Sequence, residues 1–131
     1  MKTIRDVMTP DPVSVAPDCG LEEAIHLLIE NEISGVPVVD ADGGIVGVLT
    51  EADLLKTYQV PEARTVADLM TRDPITFDID ADLVEIVDCV MSNGFRRVLV
   101  REQGRLAGLV SRADLMPAVL DLLLERHSSP A

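Results

Sequence analysis

The chain repeats itself. Residues 3–15, TIRDVMTPDPVSV, run in register with residues 65–77, TVADLMTRDPITF, at a constant offset of 62. Such a repeat constrains the fold more than any local propensity, because two copies of one supersecondary unit must be stacked or paired to bury a shared core. The register continues past the opening. Leu21, Ala24, Ile25, Leu28 and Ile29 follow the spacing of a helix with one apolar face, and adding 62 gives Leu83, Ile86, Val87, Val90 and Met91. Asp18 and Asp80 stand three residues before these stripes and are the expected N-caps. Short apolar runs follow at 33–40 (ISGVPVVD) and 95–102 (FRRVLVRE), which read as strands. After the turns ADGG (41–44) and QG (103–104), IVGVLTEADLL (45–55) and LAGLVSRADLM (106–116) read as strands running into helices, at offset 61 because the second turn is shorter. The last helix is the longer one. Leu115, Ala118, Val119, Leu122 and Leu123 share a face there, and Pro117 must kink the helix or mark its start.

Each half therefore reads as β-α-β-β-α. The expected organisation is repeat 1 over 1–60, a connector at about 57–64, repeat 2 over 65–127 and a frayed tail at 128–131. A single repeat buries too little core to stand alone. The sequence thus predicts an α+β fold of two pseudo-symmetric repeats, packed face to face about a pseudo-two-fold axis.

Composition narrows the function. With 23 acidic and 11 basic residues the 131-residue chain carries a net charge of -12, and aromatics are only 2%. Nucleic-acid binding needs a basic face and stacking rings, so no nucleic-acid partner is expected. The apolar fraction of 47% argues against disorder. Neither a membrane-spanning run nor an apolar signal core is visible. Cys19 and Cys89 lack metal-ligand spacing and fit a reduced, cytoplasmic setting. His26 and His127 have no partner in sequence that suggests a metal site, and His26 falls on the polar side of its helix. No phosphate loop or nucleophile elbow is present, and no general base stands beside Cys19, so no catalytic residue and no required cofactor are assigned.

The element that could bind something is Gly-h-h-[Ser/Thr]-x-x-Asp, with h apolar. It occurs as Gly47-Val48-Leu49-Thr50-Glu51-Ala52-Asp53 and as Gly108-Leu109-Val110-Ser111-Arg112-Ala113-Asp114. Ser/Thr-x-x-acid is also a helix-capping pattern. Thr3-x-x-Asp6 and Thr65-x-x-Asp68 have the same spacing and are read as caps only. At a strand-to-helix junction, by contrast, open backbone N–H groups favour an anion. There a hydroxyl can add a hydrogen bond, and a carboxylate one turn on can accept both hydroxyls of a ribose diol. These groups make up half a nucleotide site.

Together the motifs resemble the cystathionine β-synthase (CBS) domain pair, or Bateman module. The likeness rests on Met8-Thr9-Pro10-Asp11-Pro12-Val13 and Met70-Thr71-Arg72-Asp73-Pro74-Ile75, on the middle strands and on the two terminal motifs, and it spans residues 3–125 twice over. It implies a regulatory module, not an enzyme, that senses AMP, ADP or ATP in clefts between the repeats. S-adenosylmethionine or NAD sensing and a ligand-free interaction module are the alternatives. By motif position, the resemblance implies one cleft made of Thr50, Asp53, Thr71, Ile75, Phe95, Arg96, Arg97 and Val98, with Val48 beside the base. The other would take Ser111, Asp114, Thr9, Val13, Ile33, Ser34, Gly35 and Val36, with Leu109 beside the base. Arg96-Arg97 stands where the other copy has Ser34-Gly35, and Arg101, Arg105 and Arg112 lie close by in sequence. The Thr50/Asp53 cleft is therefore expected to bind phosphorylated ligands more strongly. A homodimer through the faces around Leu54–Leu55 and Leu115–Leu124, and an effector protein as output partner, complete the implied picture.

Overall fold

The computed structural model describes residues 2–128; of the frayed tail expected at 128–131, Ser128 instead closes the last helix, and 129–131 lie outside the described residues. The fold is α+β. Its elements are α1 (Ile4–Val7), β1 (Thr9–Pro10), α2 (Leu21–Asn31), β2 (Gly35–Val39), β3 (Ile45–Thr50), α3 (Glu51–Leu55), α4 (Val66–Leu69), β4 (Thr71–Arg72), β5 (Thr76–Asp78), α5 (Leu83–Asn93), β6 (Arg97–Glu102), β7 (Arg105–Ser111) and α6 (Met116–Ser128). Single 3-10 turns follow α3 (Lys56–Tyr58) and precede α6 (Ala113–Leu115).

The chain forms two compact units whose limits are not those of the repeats. Among the described residues, one unit holds 12–74 with 103–106, and the other holds the opening up to Asp11, 75–102 and the segment from Ala107 onward. In the first, the sheet order is β2-β3-β4, all antiparallel, with Gly47 opposite Arg72 and Val48 opposite Thr71. In the second, the order is β1-β7-β6-β5, with Thr9 opposite Leu109 and Pro10 opposite Gly108. Each sheet thus takes a short edge strand from the opening of the other repeat. The cores show the same exchange. Val66 and Leu69 of α4 are buried with Leu28, Val38 and Leu49, while Ile4 of α1 is buried with Ile86, Val100 and Val110.

The two Asp-Pro dipeptides, Asp11-Pro12 and Asp73-Pro74, stand at two of the places where the chain changes unit. Asp11 and Asp73 adopt left-handed backbone (φ 46° and 52°), a conformation aspartate tolerates better than most residues. This corner splits the expected opening strand into two pieces. In repeat 2 the pieces are β4 and β5; in repeat 1 they are β1 and a lone parallel bridge of Val15 to Val38.

The N-caps of the two long helices are Gly20 and Asp82, not Asp18 and Asp80; the Asp82 side chain accepts from Val84 N–H. Asp80 instead donates its own N–H to the Asp78 carboxylate within a turn. The apolar stripes are also narrower than their sequence pattern. Leu21, Ala24 and Leu28 are buried, but Ile25 and Ile29 are exposed, as is Met91 in the second copy. On α6 the shared face is not covered by its own chain, since Val119, Leu122 and Leu123 are exposed. Leu115 is buried, and Leu54 is partly buried against the core. Pro117 is the second residue of α6 and marks its start. The QG turn carries positive φ at both residues (Gln103 52°, Gly104 76°), the two-residue hairpin form that suits the strand twist.

Ile4 sits in a single helical turn, too short to persist without tertiary support. Ile4→Ala should nevertheless cost about 2–5 kcal/mol, as a full core deletion does. Ile29→Ala, on a residue 67% exposed, should stay within about 0.5 kcal/mol of the parent. Urea denaturation of both variants measures the difference.

Candidate nucleotide site

All four Ser/Thr-x-x-Asp segments form reciprocal caps. Asp6 accepts from the backbone N–H of Thr3 (2.9 Å), Asp68 from that of Thr65 (2.9 Å), Asp53 from that of Thr50 (3.0 Å) and Asp114 from that of Ser111 (2.8 Å). The capping pattern is therefore satisfied everywhere, and it does not separate the four. Position and burial do. Asp6 and Asp68 are exposed on short turns, whereas Thr50 ends β3 and runs straight into α3, and Ser111 ends β7 one residue short of the 3-10 turn that leads into α6.

The glycine that opens each motif is explained by the exchanged strand. A Cβ on Gly47 would lie 2.7 Å from the Thr71 carbonyl oxygen, and one on Gly108 would lie 3.0 Å from that of Thr9. Only glycine lets the edge strand come this close. The approach brings Thr71 beside Asp53, to which its hydroxyl donates at 3.1 Å and 3.3 Å. Thr71 and Asp53 lie in different repeats, and their association follows from the strand exchange. Thr9 reaches the equivalent place in its own sheet, opposite Leu109, and is exposed.

Asp53 is the buried acid of the chain's described part, at 3% exposure. Its Oδ2 accepts from the Thr50 hydroxyl (3.1 Å), and its Oδ1 accepts from Lys56 Nζ (3.0 Å). Burial pushes this carboxyl up, but hydrogen bonds from Lys56, the Thr50 backbone and the Thr71 and Thr50 hydroxyls outweigh it and hold it below the usual value. Lys56 was not singled out by motif; its signal was a lysine one turn after a capping aspartate.

The remaining predicted site residues divide between the units. Val13, Ile33, Ser34, Gly35 and Val36 belong with Val48, Thr50, Asp53 and Thr71; Ile75, Phe95, Arg96, Arg97 and Val98 belong with Thr9, Leu109, Ser111 and Asp114. Val36 and Val98 are buried in their respective cores, where they pack rather than offer surface. Val13, Ile75 and Phe95 are partly exposed apolar groups. The arginine group is less uniform than its sequence cluster implies. Arg112 donates to the carbonyls of Gly94 (2.8 Å) and Phe95 (3.0 Å), and Arg101 donates to the Thr76 hydroxyl. The Arg112 guanidinium is thus occupied in closing the end of α5. Arg96 is exposed, and its side chain has no hydrogen-bond partner among the described residues.

Other chemistry is weakly supported by the geometry. Burial raises the Cys19 thiol, and the neighbouring Glu23 carboxylate, 3.6 Å away, adds to the effect, which works against a thiolate. Among the described residues no cluster of three or more His, Cys, Asp or Glu side chains could hold a metal ion, and no helix is long and apolar enough to cross a membrane.

The depressed Asp53 value sets a pH dependence. Its contribution to stability is fully present above the ordinary aspartate value of 3.8 and is lost as pH falls below that, through the lower folded value. Asp53→Asn should cost about 1–3 kcal/mol near neutral pH and should flatten the acid arm of the stability curve. Urea midpoints taken from about pH 6 to about pH 2 check both effects.

Comparison with known proteins places this geometry in context. A family model described as the CBS domain matches residues 4–59 and again 66–121. The crystal structure of CBSX2 in complex with AMP superposes with a TM-score of 0.81 at 28% identity, covering 94% of this chain and 99% of that one. Among curated relatives, an uncharacterized protein of Methanocaldococcus jannaschii is 25% identical over 115 residues, and inosine-5'-monophosphate dehydrogenase of the same organism is 29% identical over 117 residues. These matches cover 86% and 88% of this chain but only 41% and 23% of the relatives. The chain therefore spans less than half the length of either.

Proposed function

The chain belongs to the CBS-domain family, with two copies of the domain in succession, and on that premise we propose that it is a cytoplasmic regulatory module that binds an adenosine-containing ligand. AMP, ADP or ATP is the favoured class. The observation that carries the reading is the pair Thr50/Asp53 and Ser111/Asp114, each at a strand-to-helix junction, in a chain similar to one solved with AMP. In this reading the aspartate accepts the ribose hydroxyls and the Ser or Thr hydroxyl turns to a phosphate oxygen. Val48 and Leu109, on the strands just before these pairs, flank the base. Arg96, with its exposed guanidinium, supplies charge for phosphate.

The mechanism needs no bond to be made or broken. Each site draws on both repeats, because the Asp-bearing strand is paired with the opening strand of the other copy. A ligand seated on the aspartate also touches the exchanged strand, so occupancy biases how the two openings are held, and an effector protein reads that change. A ligand that binds only the folded chain raises its melting temperature with concentration, by about 2.7 kcal/mol of stability at a hundredfold excess over Kd. A thermal-shift series with AMP, ADP, ATP, S-adenosylmethionine and NAD should show the rise for the adenine nucleotides. A shift with S-adenosylmethionine or NAD alone would reassign the ligand, and a flat response to all five would favour an interaction module.

We further propose a homodimer through the apolar helical surface that the chain leaves open. Leu120 and Leu124 on α6 are each 56% exposed, and Leu55 is 67% exposed. Such a run of uncovered leucines is typical of an interface rather than of a monomer surface. Sedimentation velocity should find a dimer for the parent chain and a folded monomer for Leu120→Glu/Leu124→Glu.

A further inference from the structure

The two Ser/Thr-x-x-Asp pairs share their reciprocal hydrogen bonds and differ in what else holds the carboxylate. Asp53 Oδ1 accepts from Lys56 Nζ and Thr71 Oγ1, while Oδ2 accepts from the Thr50 N–H, the Thr50 hydroxyl and, at longer range, Thr71 again. A carboxylate offers about four acceptor positions. Those of Asp53 are filled by its own chain, and the residue is 3% exposed. Asp114 is different. Its Oδ2 accepts from the Ser111 N–H, and its Oδ1 has no hydrogen-bond partner among the described residues. It is also only partly buried.

The difference is written in one position of the repeat. At offset 61, Lys56 corresponds to Pro117. Proline carries no donor, and here it starts α6. Lys56 reaches Asp53 at 3.0 Å from a side chain that is itself half exposed, so the ammonium can leave for water without opening the core.

We propose that Lys56, with the Thr71 hydroxyl, is a built-in occupant of the Asp53 site, standing where the two hydroxyls of a ribose would donate, so that the chain fills Ser111/Asp114 first and admits a ligand at Thr50/Asp53 only when Lys56 swings away. This rests on the reading of the aspartates as ribose acceptors. It reverses the order that the Arg96-Arg97 pair suggests from sequence alone. The two sites become unequal through a side chain on the folded protein's own surface, and the ligand concentration that fills the second is set by Lys56.

Isothermal titration with AMP and with adenosine tests this on the full chain and on Lys56→Met, Asp114→Asn and the double variant. Adenosine is included because it lacks phosphate, so loss of the lysine charge cannot weaken its binding through phosphate attraction. The parent should take up one ligand per chain with high affinity, and Asp114→Asn should lose that event. Lys56→Met should gain or tighten a second event by about tenfold or more, the worth of one charged hydrogen bond. The double variant should bind one ligand through Asp53. Parent-like affinity in Asp114→Asn, or a second event unaltered in Lys56→Met, would overturn the proposal while leaving the adenosine reading intact. Absence of binding in all four proteins would overturn both.

Discussion

The close approach of each opening strand to the last strand of the other repeat is the contact on which the rest depends. Gly47 and Gly108 have no side chain at the place where a carbonyl oxygen of Thr71 or Thr9 passes. That vacancy allows β4 and β1 to pair at the sheet edges, and the pairing delivers α4 and α1 to the cores. Each of those helices is one turn long and buries one branched residue completely, Val66 or Ile4. Neither turn would persist in isolation. The turn is held by its capping box and by a core that belongs mostly to the other repeat, so neither repeat can complete its own core alone. The exchange couples two stretches of chain more strongly than the short connector between them could.

Much of this was legible because the sequence says everything twice. The offset of 62 aligned helices, strands and caps without any knowledge of contacts, and the change to 61 located the shorter hairpin. What it could not show is which copy each opening packs against. The residues of a self-contained repeat and of an exchanged one are identical in sequence, since both need an apolar residue at position 4 or 66 and a glycine at 47 or 108. The caps at Asp18 and Asp80 were misplaced for a different reason. A short polar residue before an apolar stripe is common to caps and to turns, and here the turn took Asp80 while Asp82 took the helix. The outer parts of the stripes, such as Ile29 and Met91, satisfy helical periodicity without being buried. Periodicity reports a face, and whether the chain covers all of it is a matter of tertiary geometry.

The candidate site is legible in its residue types and not in what already fills its acceptors. Thr50-x-x-Asp53 and Ser111-x-x-Asp114 are nearly the same words, and in sequence the conspicuous difference between the copies is the arginine cluster. The structure locates a nearer difference one helical turn away, in Lys56 against Pro117. Arg112, counted with the basic cluster, spends its guanidinium on two backbone carbonyls at the end of α5. A charge read from sequence is available for a ligand only if no backbone group nearby needs it first.

That principle applies to the acids as well. Four aspartates occupy the same capping position, and each satisfies the N–H it is there to satisfy. Capping is therefore the requirement that all four spacings share, and any ligand must use what capping leaves over. Asp6 and Asp68 have oxygens to spare but stand on exposed turns without a flanking strand residue to shelter a base. Asp53 has the shelter and no spare oxygen while Lys56 remains. Asp114 has a strand before it, partial burial and an oxygen without a partner among the described residues. What each aspartate has left to accept with is the difference between what a carboxylate can accept and what its own fold already donates.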